Sequence, residues 1–155
     1  MRVETLRFGP IEAEESDTIT FAAGIPGFEQ LQRYIIIKPD EELPFSFLQS
    51  VDDGDVAFIV TNPFVFYPEY EFVLSEADQE ELGSPTSDDL FVWSIVSVPG
   101  DIDAATLNLL APVVVNKAKR WGKQIILHGT AYKIKHPLVN KETAEAAASK
   151  GEPGC

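Results

Sequence analysis

Cysteine is almost absent from this chain of 155 residues, since the only one is the last residue, Cys155. No disulfide can form within the chain, so the sequence gives no sign of an oxidising compartment. Apolar runs such as 57–60 and 111–115 are far shorter than the roughly 20 residues of a membrane-spanning helix. The first residues also lack the apolar stretch of a signal peptide. We therefore expect a cytoplasmic protein that does not associate with a membrane.

Residues that commonly carry catalysis or bind metal are also scarce. The two histidines, His128 and His136, lie near no recognisable nucleophile motif, and the chain has no glycine-rich phosphate loop. The acidic cluster 52–55 lacks the alternating oxygen ligands and distal glutamate of a calcium loop. We expect that the protein is not an enzyme and that it has no catalytic residues, no metal and no cofactor. A hydrolase that uses the 52–55 cluster is the weakest alternative.

Charge is unevenly distributed along the chain, which carries a formal net charge of −13. Residues 1–116 contain four basic residues against 22 acidic ones, whereas 117–141 contain seven basic residues and no acidic one. Nucleic-acid-binding domains are usually basic, so the acidic body favours a cationic protein partner and no direct nucleic-acid binding. The alternative is a small β-barrel that binds RNA through the basic segment 117–141, where Trp121 and Tyr132 supply aromatic rings.

The apolar pattern is mostly that of short strands. Period-two alternation or β-branched runs predict strands at 17–21, 34–37, 45–51, 56–61, 90–98, 113–115 and 124–127, the last three of them buried. Asp53-Gly54 between two apolar runs predicts a hairpin, and residues 118–122 another. A capping box at Ser75 predicts a helix over 76–82, and 28–33 a single helical turn. We expect a mostly β chain: one small antiparallel β-barrel-like domain with one or two short helices.

Domain bounds follow from composition. The β domain is expected over 1–141, and the tail 142–155 is expected to be partly helical or flexible, with its alanine-rich part 143–149 a marginal helix.

One aromatic segment allows two interpretations. Residues 62–72 contain five aromatic side chains, interrupted by Pro68, which a central strand rarely tolerates. The rings either pack in the core, which is common for aromatic residues, or one or two of them lie at a protein interface.

Four short phrases, in order, resemble a known family. Phe21–Glu29 (FAAGIPGFE) resembles the opening signature of the flagellar assembly factor FliW, and Leu48-Gln49-Ser50, Ala57-Phe58 and Asn62-Pro63 match its next block. The phrase Asn108–Asn116 (NLLAPVVVN) and the phrase Gly122–Leu127 (GKQIIL) resemble its last two blocks. Order and spacing agree from about Phe21 to Leu138.

The resemblance implies a non-enzymatic cytoplasmic binding protein with a small β-barrel-like fold. Members of this family bind flagellin before its export and also bind CsrA, which keeps flagellin messenger RNA silent. When flagellin leaves the cell, the freed factor captures CsrA and translation resumes. This capture is described as non-competitive with RNA. For this chain we expect both partners, and a monomer when neither is bound.

Nine residues are the candidates for partner binding. Two groups come from the aromatic segment and the third motif block, and the acidic cluster is expected to steer a cationic partner. The candidates are Asn62, Phe64, Tyr67, Tyr70, Asn108, Asn116, Asp52, Asp53 and Asp55.

Overall fold

A computed structural model describes residues 1–100 and 102–138 of the chain. The predictions for the tail 142–155, including its helical part, concern residues outside these ranges, as does the 141/142 boundary.

Short strands dominate the described residues, in agreement with the predicted fold class. The strands are β1 (Arg2–Thr5), β2 (Gly9–Glu12), β3 (Ile19–Thr20), β4 (Arg33–Ile37), β5 (Phe45–Ser50), β6 (Ala57–Thr61), β7 (Leu90–Ser97), β8 (Thr106–Leu107), β9 (Val113–Asn116), β10 (Trp121–Gln124) and β11 (His136–Pro137). The α-helix α1 covers Glu76–Glu81, and short 3-10 helices cover Glu15–Asp17, Pro63–Val65, Ser87–Asp89 and Ile102–Ala104.

The main sheet closes on itself. Its strand order is β11-β8-β7-β6-β5-β4-β3-β10-β9, and β9 also pairs with β7. Seven strands therefore form a ring, with β8 and β11 extending from β7. Every pair in the ring is antiparallel except β3 and β10, which meet in parallel at Thr20 and Trp121. The antiparallel barrel-like prediction is thus confirmed, with one short parallel contact closing the ring.

The hairpin between β5 and β6 forms where Asp53-Gly54 predicts it, but for a partly different reason. The connecting loop covers residues 51–56, and Gly54 does not adopt a positive φ. A Cβ atom at Gly54 would lie 2.3 Å from the carbonyl oxygen of Glu4. Glycine is required there because the loop packs directly on β1, which the sequence did not predict.

One local prediction is wrong, and a second is only partly right. Residues 28–33 form consecutive turns rather than a helical turn, since Phe28 donates to Ile25 and Leu31 to Phe28. Just before this segment, Gly24 and Gly27 have φ values of +71° and +90° and lie in tight turns. The strand predicted at 124–127 begins earlier, at Trp121, and its ladder with β9 ends at Gln124, although Ile125 and Leu127 still donate hydrogen bonds to the chain before β9.

Two apolar clusters lie on opposite faces of β9. Val113 and Val115 belong to a cluster with Phe21 and Tyr34, whereas Val114 belongs to a second cluster with Leu109. Successive side chains of a strand point to opposite faces, which explains the division. The second cluster is covered by the chain that leads to α1 and by the segment after β10. None of the helices in the described part of the chain is long and apolar enough to cross a lipid bilayer.

Candidate partner-binding surface

The acidic loop between β5 and β6 is held by its own hydrogen bonds. The hydroxyl oxygen of Ser50 accepts from the backbone N–H groups of Asp52 and Asp53, at 3.2 and 3.0 Å. Buried Gln49 donates through Nε2 to the carbonyl groups of Ser50, Gly54 and Val56. The loop thus presents its carboxylates on a fixed backbone.

The three aspartates of this loop have different partners. Asp52 forms an ion pair with Arg33, and hydrogen bonds and the negative charge of that carboxylate raise the pKa of the guanidinium. Asp53 accepts from the N–H of Asp55 at 3.1 Å, and both side chains are exposed. Within the described residues, no three acidic, histidine or cysteine side chains are grouped to hold a metal ion.

The aromatic segment after β6 combines buried and exposed rings. Asn62 caps the 3-10 helix Pro63–Val65, since its side chain accepts from the N–H of Phe64 at 3.0 Å. The Phe64 ring is 40% exposed, and its centroid lies 5.7 Å from that of Tyr70. Tyr70 is only 4% exposed and donates to the carbonyl of Leu109. Tyr67 is half-buried and donates to the carbonyl of Pro137, and burial raises its pKa.

The two asparagines of the third motif block organise the backbone. Asn108 accepts from the N–H of Ala111 at 2.9 Å. Asn116 is 2% exposed, donates to the carbonyl of Leu82 at 2.7 Å, and accepts from the N–H groups of Ala118 and Lys119. The Asn116 side chain therefore holds the turn between β9 and β10 in place.

The nine candidates therefore do not form one patch. The bond from Tyr70 to Leu109 brings the aromatic segment next to Asn108. The acidic loop lies at the other end of β6, whose five residues span about 16 Å at the usual rise of a strand. A partner that contacts both regions must cover most of that strand's length.

The basic segment is partly neutralised by the body of the protein. Lys123 forms ion pairs with Asp78, at 2.6 Å, and with Glu81. Arg120 has φ +59° and donates to the carbonyl of Asp17. Lys119 lies 5.0 Å from the centre of the exposed Trp121 ring.

The sequence did not predict a large groove beside the helix. The groove, here called the edge groove, has a volume of about 990 Å³ and lies between residues 71–75 and residues 124–128. Its floor is apolar, because alternate side chains of both segments pack on the second core cluster: Phe72, Leu74, Ile125 and Leu127.

The side chains between them point outward. Val73 is 90% exposed and Ile126 is 55% exposed. The apolar run 124–127 was predicted to be a buried strand, so the exposure of Ile126 contradicts that prediction. The sequence signal for this surface is the unbroken apolar stretch itself. A strand with one buried face needs an apolar residue only at every second position, so the additional apolar residue lies on the surface.

Comparisons with known proteins agree with this fold. The family model described as FliW protein matches residues 2–138. The flagellar assembly factor FliW of Alkaliphilus metalliredigens is 43% identical over 142 residues, which are 91% of this chain and 88% of that protein. The one from Desulfitobacterium hafniense is 41% identical over 152 residues, 98% of this chain and all of that protein.

A solved structure is also similar. The crystal structure of a flagellar assembly factor FliW superimposes with a TM-score of 0.86 and 37% identity, covering 92% of this chain and 99% of that one. Because the family model and the relatives span nearly all of the described residues, this chain belongs to the FliW family of flagellar assembly factors.

Proposed function

We propose that this protein binds flagellin before its export and antagonises the translational regulator CsrA. Free of flagellin, it captures CsrA, relieves the repression of flagellin messenger RNA and so promotes assembly of the flagellar filament. It acts in the cytoplasm as a binding protein without bond-making chemistry, and it is a monomer when unbound. The observation that carries the proposal is the family match over residues 2–138.

The charge of the chain supports a cationic client. CsrA binds RNA, and an RNA-binding surface must hold phosphates with basic residues. A protein with a net charge of −13 is steered toward such a surface. The exposed carboxylates of Asp53 and Asp55 add to this field. Once docked, the acidic body also repels RNA phosphates at a distance, which suits an antagonist that does not cover the RNA site.

Binding of each client by the purified protein tests the proposal. The protein is mixed with purified CsrA or purified flagellin, and complexes are detected by size-exclusion chromatography with light scattering. We expect a complex with each client. An unrelated acidic protein of similar size and charge is the control for non-specific attraction. If neither client forms a complex, the proposed function is wrong.

Direct RNA binding through 117–141 is the second candidate. It is favoured by Trp121, which is exposed beside Lys119 and offers a ring on which a base can stack. Against it, Lys123 is neutralised by Asp78 and Glu81, and the rest of the chain is acidic. Filter binding at low salt separates the two candidates, because only the second predicts that the protein alone retains RNA.

A further inference from the structure

One wall of the edge groove continues the β9–β10 ladder. In β10, Gln124 pairs with Val113. The N–H of Ile125 then donates to the carbonyl of Pro112, and that of Leu127 to the carbonyl of Leu110, both at 2.9 Å. The register is unchanged, so residues 125–127 are the extension of an antiparallel strand.

The other side of this extension is an unpaired strand edge. In an antiparallel strand, the N–H and C=O groups of successive residues alternate between the two neighbours. The N–H groups of Ile126 and His128 therefore face away from residues 110–112. Among residues 1–100 and 102–138, no protein group accepts a hydrogen bond from either of them. Unpaired edges readily pair with another chain, and many proteins cover or block them.

The facing wall leaves room for an added strand. Residues 71–75 belong to no helix or strand, and in the described part of the chain the backbone of Val73 makes no hydrogen bond to another residue. Within residues 1–100 and 102–138, two polar contacts hold the facing wall near the ends of the groove. At one end the N–H of Glu71 donates to the hydroxyl of Tyr132, and at the other Lys123 binds Asp78. The apolar floor and the exposed Val73 and Ile126 lie between these contacts.

The charge of the facing wall indicates what kind of segment fits. Residues 69–81 contain six acidic residues and no basic one: Glu69, Glu71, Glu76, Asp78, Glu80 and Glu81. Glu71 and Asp78 line the groove itself, and the other four are exposed beside it. The cation on the opposite wall, Lys123, is already bound to two of these carboxylates. An incoming strand with lysine or arginine side chains meets uncompensated negative charge, whereas an acidic strand is repelled.

We propose that the edge groove binds an extended basic segment of CsrA as an added β-strand. Its backbone pairs with Ile126 and His128, its apolar side chains pack against Val73 and Ile126, and its basic side chains face Glu71 and the exposed acidic residues beside the groove. Main-chain pairing of this kind supplies affinity, and the side-chain pockets supply specificity. The inference rests on the proposed function, because it assigns a surface to the same client.

Amide hydrogen exchange measured by NMR tests the pairing directly. The probe is purified CsrA added to the full-length isotope-labelled protein. In the free protein we expect fast exchange at Ile126 and His128 and slow exchange at Ile125 and Leu127. On binding, exchange at Ile126 and His128 is expected to slow at least tenfold. Slow exchange at both residues in the free protein means that residues 139–155 or a second copy fill the groove, and it overturns the inference.

Three variants separate the backbone from the side chain. Ile126→Ala removes side-chain contacts but keeps the N–H, whereas Ile126→Pro removes both. We expect Ile126→Pro to bind CsrA about tenfold more weakly than Ile126→Ala, since one hydrogen bond in a buried ladder is lost. Val73→Asp tests the groove without introducing a proline, and we expect it to bind at least tenfold more weakly than wild type. Thermal melting of each variant checks that it is folded.

Leu43→Asp is the matched control, because it places the same charge on an exposed aliphatic side chain outside the groove. We expect its affinity to stay within twofold of wild type. If wild type binds CsrA and the folded groove variants bind equally well, or the two amides stay unprotected, the strand docking is wrong and the proposed function stands. If wild type binds neither CsrA nor flagellin, the proposed function itself fails.

Discussion

The hydroxyl group of Tyr70 donates a hydrogen bond of 2.8 Å to the backbone carbonyl of Leu109, 39 residues further along the chain. Burial, together with the nearby Tyr132, raises the pKa of this hydroxyl, so it remains a donor at any physiological pH. The bond joins the segment that leads to α1 to the chain between β8 and β9. It thereby fixes one wall of the edge groove to the sheet.

Removing this hydroxyl is expected to destabilise the fold. Tyr70→Phe leaves a buried carbonyl without its donor, which typically costs about 1–3 kcal/mol in the free energy of unfolding. Tyr132→Phe is the control, because the Tyr132 ring is only half-buried and its hydroxyl contacts the exposed Glu71. We expect a loss below about 1 kcal/mol there. Urea denaturation measures both, and equal losses would contradict the role given to Tyr70.

The two capping asparagines are expected to respond differently to the same change. Asn62 uses only its acceptor oxygen, so Asn62→Asp keeps the cap and should alter stability by less than about 0.5 kcal/mol. Asn116 also donates to Leu82 inside the protein, so Asn116→Asp places a carboxylate against a carbonyl in a buried site. We expect a loss of about 2 kcal/mol or more. Denaturation at pH 7 compares them, and similar losses would be inconsistent with this account.

The ion pair between Lys123 and Asp78 predicts a pH dependence. Desolvation by burial raises the pKa of Asp78, but hydrogen bonds from Lys123 and Ser75 and the charges of Lys123 and His128 outweigh it, so the pKa lies below its usual value. Such a group stabilises the fold above the pKa of unfolded aspartate, about 3.9, and the contribution is lost as pH falls through the folded value.

Wild type should therefore exceed Asp78→Asn in stability by about 1 kcal/mol at pH 7, and by much less at pH 3. Glu81→Gln, at a more exposed carboxylate, should show a smaller difference at pH 7. Chemical denaturation at the two pH values measures each difference. A gap that does not shrink on acidification would exclude the ion pair as its source.

The acidic loop is expected to affect the rate of association with CsrA. Long-range attraction between a protein of charge −13 and a basic client weakens as salt screens it. We expect the association rate to fall as salt rises, and Asp53→Asn/Asp55→Asn to lower it further at low salt. Glu41→Gln/Glu42→Gln removes two exposed charges from another loop and is the control. Stopped-flow mixing gives the rates, and a rate indifferent to salt would remove steering from the account.

Local chemistry accounts for the parts of the fold that the sequence predicted. The Ser75 cap of α1 and the alternation in β3 depend on neighbours within a few residues, and both are found in the structure. The Asp53-Gly54 loop also forms where it was predicted, but its glycine is needed for the distant contact with β1. The β1–β2 hairpin escaped prediction because its strands are short, and its place is set by the contact of Leu6 with Gly54 across the chain.

The surface was harder to predict because exposure depends on distant residues. Tyr70 and Tyr67 belong to one aromatic segment, yet their hydroxyl groups bind the carbonyls of two residues far along the chain, Leu109 and Pro137. The burial of each ring therefore depends on residues outside the segment. From its local sequence Asn116 is a polar loop residue, but in the structure its side chain donates to the carbonyl of the distant Leu82. Ile126 lies among apolar neighbours in the sequence. It is exposed beside an open strand edge because residues 71–75 lie across the groove from it and do not cover it.

Competition among this protein, CsrA and flagellin shows whether capture of CsrA frees the flagellin messenger RNA. A labelled flagellin messenger RNA leader bound to CsrA is titrated with this protein, and fluorescence anisotropy reports the bound RNA. We expect the anisotropy to fall to that of free RNA, and excess flagellin to restore it. Anisotropy that stays high at saturating protein, or that rises when this protein meets the RNA without CsrA, would contradict the proposed function.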